Sequence, residues 1–240
     1  MNQKIPLSKR IERSLPPLAV EIIMDLLVPI RKIAFRVVKR RQLRGGTSRA
    51  RQRRLREKFF ETWCRGHGLD IGYGGDPVVA GAQGWDIEHG NAQYLHGLDR
   101  ESFDFVYSSH TLEHLPNPGV ALRNWWAVLK KGGYLILYVP HRDLFEKRRH
   151  LPSVNNPKHT YFFLLDHDDP PDTIGLTSFI RRLLPDSRIV KAEVYGDGES
   201  NADRVTHSPG EDSIEVVVHK ESGSEAPAGT DVDEKASDTA

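Results

Sequence analysis

At 240 residues with 38% apolar composition, the chain is long enough for one substantial core or one core with flanking segments. Its single cysteine, Cys64, excludes an internal disulfide and any multi-cysteine metal site and fits a reducing compartment. The net charge of +1 conceals an asymmetry, because the chain is densely basic before Cys64 and mainly acidic beyond Gly210.

The N-terminus is polar and does not resemble a secretory signal. In residues 18–38, Leu18, Ile22, Leu26, Ile30, Ile33 and Val37 recur at close to helical spacing. Interleaved charges make the stretch too polar for a comfortable membrane span, and Pro29 kinks or splits it. It reads as an amphipathic helix pair packed on the domain, with a substrate lid or a membrane-surface helix as the sharper alternatives. Residues 39–58 are dominated by arginine, including Arg40, Arg41, Arg44, Arg49, Arg51, Arg53, Arg54 and Arg56. Such a run suits an anionic partner or a solvated face. It lacks the aromatic interleaving and motif of a nucleic-acid module. Gly45-Gly46-Thr47-Ser48 reads as a hinge, and residues 51–63 as a helix burying Leu55, Phe59 and Trp63.

Next comes Gly68-Leu69-Asp70-Ile71-Gly72-Tyr73-Gly74-Gly75-Asp76-Pro77. A short apolar strand there runs into a glycine-rich turn, whose backbone a ligand can approach closely. Residues 77–81 leave room for a short helix only. A strand over 82–87 ends near Asp86, and residues 102–109 read as a buried strand. Asn117 caps a helix with Pro118 at its first position. That helix continues through 120–129, and Lys130-Lys131-Gly132-Gly133 closes it. Residues 134–139 form a further strand, and Trp125-Trp126 pack the helix on the sheet. Residues 142–172, rich in His, Pro and aromatics, read as an insertion over the active face. A helix at 174–184 and antiparallel strands at 188–195 and 213–219 close the fold, and the tail from Glu221 onward reads as disordered.

The glycine turn, the strand ending Tyr107-Ser108-Ser109-His110, and Leu129-Lys130-Lys131-Gly132-Gly133-Tyr134 occur in this order. With them, the chain resembles the class I S-adenosylmethionine-dependent methyltransferases, in the manner of the type 11 group, over residues 59–220. The resemblance implies an α/β fold: a Rossmann-like three-layer sandwich with a shortened second β-α unit and an N-terminal helical arm. The domains expected are a basic arm at 1–50, a methyltransferase domain at 51–220 with its insertion at 141–172, and an acidic tail at 221–240.

The implied cofactor is S-adenosyl-L-methionine. Asp70, Gly72, Tyr73 and Gly74 match the turn that lies against its methionine and ribose. Asp86 matches the acidic ribose ligand, with Glu88 as its substitute. Asn91 and Ala92 match the pair that meets adenine, and Ser109 lies where cofactor and acceptor join. Only about four residues separate Asp86 from Asn91, where the family has a helix and much of a strand.

His110, His114 and His141 fall at or beyond the carboxyl ends of predicted strands, where a histidine can serve as general base. The segment from His110 to His114 is similar to a Glu-x-x-Glu-His segment that helps bind a divalent metal in some ubiquinone-pathway and small-RNA methyltransferases. Here His110 replaces the first glutamate. With His141 a mixed site is chemically feasible, but Leu-Glu-His is also structural in members that use no metal, so no metal ligand is assigned. His150, His159 and His167 are too scattered to argue a second site. Tyr138, His141, Arg142, Asn155, His159 and Tyr161 are candidate acceptor contacts, and Arg142 suits an anionic group.

The expected activity is methyl transfer to an oxygen or nitrogen of a small-molecule or glycan-type acceptor. The alternatives are a nucleic-acid methyltransferase using the arginine-rich arm, or a non-catalytic binding protein on the same fold. The basic arm could meet a membrane or other phosphate-bearing surface, and the expected location is the cytoplasm, with or without membrane association.

Overall fold

The centre of the structure is a sheet whose strands bury side chains on both faces. The computed structural model describes residues 47–153, 155–196 and 211–222. The amphipathic stretch at 18–38, arginines 40, 41 and 44, and the tail beyond residue 222 lie outside the described residues. The elements are α1 (Thr47–Arg56), α2 (Phe59–Trp63), β1 (Gly68–Ile71), β2 (Gln83–Trp85), β3 (Phe103–Ser109), α3 (Pro118–Val128), β4 (Leu129–Pro140), β5 (Phe162–Leu164), β6 (Thr173–Gly175), α4 (Leu176–Leu183), β7 (Ser187–Tyr195) and β8 (Ser213–Lys220).

The main sheet has the order β2-β1-β3-β4-β8-β7. β1, β2, β3 and β4 run parallel, and β8 runs antiparallel to both β4 and β7. The expected antiparallel closing pair is therefore present. Alternation along the strands sorts the core into two layers. Leu69, Ile71, Val106, Leu135, Leu137, Val139, Ile214, Val216 and Val218 face α3 and α4 with Trp125 and Ile180. Phe105, Tyr107, Ile136 and Val217 face the other way, onto Phe59, Phe60, Cys64 and Val78. This is the three-layer Rossmann-like arrangement the sequence implies. The connections before and after β2 contain turns only, so the short first helix expected at 77–81 does not form either.

α3 begins as its sequence dictates, with Asn117 Oδ1 accepting from Val120 N at 3.1 Å and Pro118 in the first turn. Its end differs from expectation. The chain passes straight from Val128 into β4, so Lys130 and Lys131 belong to a strand rather than a helix cap. Lys130 instead pairs with Asp104 of the neighbouring strand at 2.8 Å. Trp125 donates to Ala92 O and Trp126 to Pro185 O, so both rings serve packing and anchor loops.

The predicted helix over 51–63 is broken at Lys58, which adopts a left-handed backbone, and Leu55 is 52% exposed. The buried face of α1 is built from arginines instead. Arg54 Nε lies 2.6 Å from Glu215 Oε2, and its Nη1 donates to Tyr107 OH at 2.6 Å. Arg53 meets Glu211, Glu215 and Glu57, and Lys191 approaches Glu215 at 3.1 Å. Three cations thus surround one fully buried carboxylate. They hold its pKa low although burial alone would raise it. Within this half of the arginine run, Arg53 and Arg54 form an internal ion network, whereas Arg51 and Arg56 stay exposed.

The 142–172 segment is a wide turn at Arg142–Glu146 followed by the small parallel β5–β6 pair. Its Phe162, Phe163 and Leu164 are buried, so it is partly core as well as cover. Arg142 is held by Asp143 and Asp169 at 2.7 Å each, which removes it as a free acceptor contact.

Candidate active site

β1 lies between β2 and β3, so successive crossovers leave it in opposite directions, and the crevice at its carboxyl end is the natural ligand position of such a sheet. The Gly72–Gly75 turn, Asp86, Ser109 and His110 all sit along that edge. Gly72 has φ +78°, and a Cβ placed there would stand 1.9 Å from Thr111 Oγ1. Its glycine is therefore required by a left-handed backbone and by the close approach of Thr111, not by a ligand. The Thr111 hydroxyl is shared between Ile71 O and Ser109 O, both at 3.2 Å, and so ties the glycine turn to the loop carrying His110. Gly74, with φ +56°, has open space where its Cβ would point.

Asp70 is buried and accepts from Val78 N at 2.7 Å, which latches the far end of the turn. Burial, only partly offset by that bond, pushes its carboxyl up to about 7. Tyr73 folds back over Gly84, where a Cβ would meet its ring at 2.4 Å, and its hydroxyl donates to Glu88 at 3.1 Å. Asp86 stands one residue past β2. Its two oxygens accept from Gly74 N at 3.0 Å and Ile87 N at 2.7 Å. Asn91 Oδ1 is engaged by Gln93 N at 2.9 Å, and Ala92 contributes its carbonyl to Trp125. Glu88 Oε2 and Trp85 Nε1 are buried here without a partner among the described residues, as is Ser109 Oγ at the end of β3.

His110 has a left-handed backbone, φ +51°, immediately after β3, and its amide donates to Tyr138 O at 2.8 Å. That uncommon conformation turns the ring out along the crevice edge, where its side chain remains 35% exposed. His110 Nδ1 lies 3.5 Å from Glu113 Oε1. Glu113 is completely buried. Burial alone would raise its pKa, but the neighbouring His110 and His114 hold it below the ordinary carboxylate range. His114 Nε2 is 3.9 Å from the same oxygen, and burial pushes its imidazole pKa down. His141 is differently employed. Its Nδ1 accepts from Asp143 N at 3.2 Å and Leu144 N at 3.3 Å, capping the wide turn, so that lone pair is consumed.

The 142–172 segment closes over this loop. Thr160 N donates to Glu113 O at 2.7 Å, and the Thr160 hydroxyl is shared between Glu113 O and Leu115 O. It also brings in His159, whose Nε2 stands 4.0 Å from Glu113 Oε1. His159, not His141, therefore joins Glu113 and His114. The sequence offers His159 only as a candidate acceptor contact, because its approach to Glu113 spans the whole of β4. Thr111 was invisible before the turn geometry was known.

Residues 54–137, which contain every part of this edge except the covering segment, match the family model of a methyltransferase domain. These residues are thus similar to a methyltransferase domain. A search of curated proteins returned no match. Among solved structures, the chain is similar to an S-adenosylmethionine-dependent methyltransferase from Thermotoga maritima, described as a possible histamine N-methyltransferase. Identity there is 20% over 83% of this chain and 99% of that one, with a TM-score of 0.46. It is also similar to a putative methyltransferase from Bacillus halodurans (15%, 69% and 98%, TM-score 0.46) and to an S-adenosylmethionine-dependent methyltransferase from Archaeoglobus fulgidus (16%, 74% and 96%, TM-score 0.44).

The cofactor that the likeness to a methyltransferase domain implies is S-adenosylmethionine. The residues present fit it, since the open front of Gly74 leaves room for a ligand and the orphaned Glu88 oxygen offers an acceptor for a hydroxyl.

Proposed function

We propose that the domain methylates an oxygen or nitrogen of a small-molecule or glycan-type acceptor, with His110 as the general base. The single observation behind this reading is the half-exposed His110 ring, backed by a buried carboxylate at 3.5 Å and turned toward the crevice by a left-handed backbone. When bound, the cofactor supplies a methyl carbon on a sulfonium whose leaving group is a neutral thioether. The protein's part is to orient the acceptor and take its proton as the new bond forms. His110 Nε2 takes that proton, and Glu113 stabilises the resulting imidazolium.

Glu88 takes the ribose hydroxyls, because Asp86 already spends both oxygens on backbone amides of the turn. Asp86, Gly72 and Gly74 set the turn's shape. The inward-facing Arg53 and Arg54 favour a small acceptor over a polyanion for the described part of the chain.

The test begins with a panel of small hydroxyl and amine compounds, followed by release of S-adenosylhomocysteine. On the acceptor so found, His110→Ala is expected to lower kcat by about 10²–10⁴ while cofactor affinity stays unchanged. An unchanged kcat contradicts the role.

A further inference from the structure

Glu113 is fully buried, yet both of its carboxylate oxygens lack a hydrogen-bond donor among the described residues. In a native interior such a group ordinarily has a partner. Besides His110, whose Nδ1 stands 3.5 Å away, two imidazoles present Nε2 to it, from His114 at 3.9 Å and from His159 at 4.0 Å. The ligand atoms of Glu113, His114 and His159 all lie within 4.8 Å of one another. The two rings meet nearly edge to face, with centroids 4.7 Å apart and planes at 70°.

Both imidazoles are also held from behind. His159 Nδ1 bonds the buried Glu146 carboxylate, which Ser153 Oγ holds in turn. His114 Nδ1 faces Lys158 O at 3.3 Å. A carboxylate or carbonyl on Nδ1 places the proton there and leaves the Nε2 lone pair directed at Glu113. That is the outer-shell arrangement that orients metal-bound histidine.

We propose that Glu113, His114 and His159 bind a first-row divalent metal ion, zinc foremost. Two imidazole nitrogens, one carboxylate and an open position suit that ion. Metal–ligand distances of about 2.1 Å at tetrahedral angles imply ligand separations of roughly 3.4 Å. The separations of 3.9 and 4.0 Å to the Glu113 oxygen therefore need to contract by about half an ångström, and the two imidazole nitrogens, within 4.8 Å of each other, by up to about 1.4 Å. His114, with 31% of its side chain exposed, gives the ion its way in. An ion on Glu113 is one side chain away from His110, where it can polarise an acceptor oxygen. That use rests on the methyl-transfer reading, whereas metal uptake does not.

The test uses the tag-free full chain, stripped with chelator and dialysed against Zn²⁺ alone, then against Co²⁺ as a spectroscopic probe. The expected results are one equivalent of Zn²⁺, a rise in Tm on binding, and an intense visible Co²⁺ spectrum with histidine character. Glu113→Gln, His159→Gln and the half-exposed His114→Gln should each weaken Zn²⁺ by more than about 10-fold. Glu146→Gln should weaken it about 10–100-fold, as outer-shell losses do. The exposed His96→Gln should leave it unchanged. His114→Gln replaces a partly solvated ring, so it keeps the comparison open if a core variant fails to fold. Absence of stoichiometric uptake by the wild-type chain overturns the proposal. So does uptake that His114→Gln and Glu113→Gln leave unaltered, which would mark adventitious binding only. Either result leaves the methyl-transfer reading standing.

Discussion

Asp70→Asn should stabilise the chain at alkaline pH and progressively less toward acid. Asp70 sits under the glycine turn with 3% exposure. Burial carries its carboxyl to about 7, against 3.8 for a free side chain, with Asp76 and Asp86 adding repulsion. At about 1.4 kcal/mol per pH unit, keeping the side chain ionised costs the native state on the order of 4 kcal/mol above pH 7. The native state holds this proton between about pH 4 and 7 while the unfolded chain has released it. The Asp70 contribution to stability therefore falls as pH rises through that window.

An amide keeps an oxygen for Val78 N–H and carries no charge, although its extra donor costs about 1–3 kcal/mol if left unpaired. That cost is independent of pH. At pH 4.5 the wild-type penalty has shrunk to about 1 kcal/mol. The advantage of Asp70→Asn over wild type should thus grow by about 3 kcal/mol between pH 4.5 and 8, or roughly 6–12 °C in Tm for a chain of this size. Urea unfolding of both proteins at the two pH values, followed by far-ultraviolet circular dichroism, reads this difference with all other titrations cancelling. A stability difference that does not change with pH, or that moves against Asn as pH rises, refutes the reasoning.

Gly72→Ala should cost roughly 1–2 kcal/mol from the left-handed backbone alone, and more as its Cβ displaces Thr111. Cofactor affinity should fall with it, and a variant that binds and unfolds like wild type would contradict the geometry. Glu88→Gln should weaken cofactor binding by roughly 1–3 kcal/mol, the worth of a hydrogen bond to a charged group. Titration calorimetry that shows no change for Glu88→Gln but a loss for Asp86→Asn would return the ribose to Asp86. Arg54→Met leaves Glu215 with Arg53 and Lys191 only, and should cost about 3 kcal/mol, the lower end for breaking a buried ion pair. Denaturant unfolding within 1 kcal/mol of wild type would show the network to be dispensable.

The parts of the fold legible in the sequence were those written in local chemistry. Asn117-Pro118 announced a helix start, the apolar run at 103–109 a buried strand, and the glycine turn the ligand edge of the sheet. What escaped were long-range decisions. Arg53 and Arg54 read as solvent-facing because arginine ordinarily is, yet Glu211 and Glu215, far along the chain, make burial possible. Leu55 was expected inside and lies outside for the same reason, since helix phase follows the ion network. Lys130-Lys131-Gly132-Gly133 carried the composition of a helix end, but pairing with β3 overrode it. At the site, the role of Gly72 depends on Thr111 and the company of Glu113 depends on His159. Those contacts exist only once β3, β4 and the covering segment are in place.

The central claim is that the crevice beside Gly72–Gly75 and Glu88 holds S-adenosylmethionine. Calorimetric titration of the folded full-length chain with S-adenosylmethionine and with S-adenosylhomocysteine addresses it most directly. One equivalent of each should bind, and Gly72→Ala should abolish or severely weaken both. A folded wild-type chain that gives no binding heat and no thermal stabilisation with either compound would contradict the account.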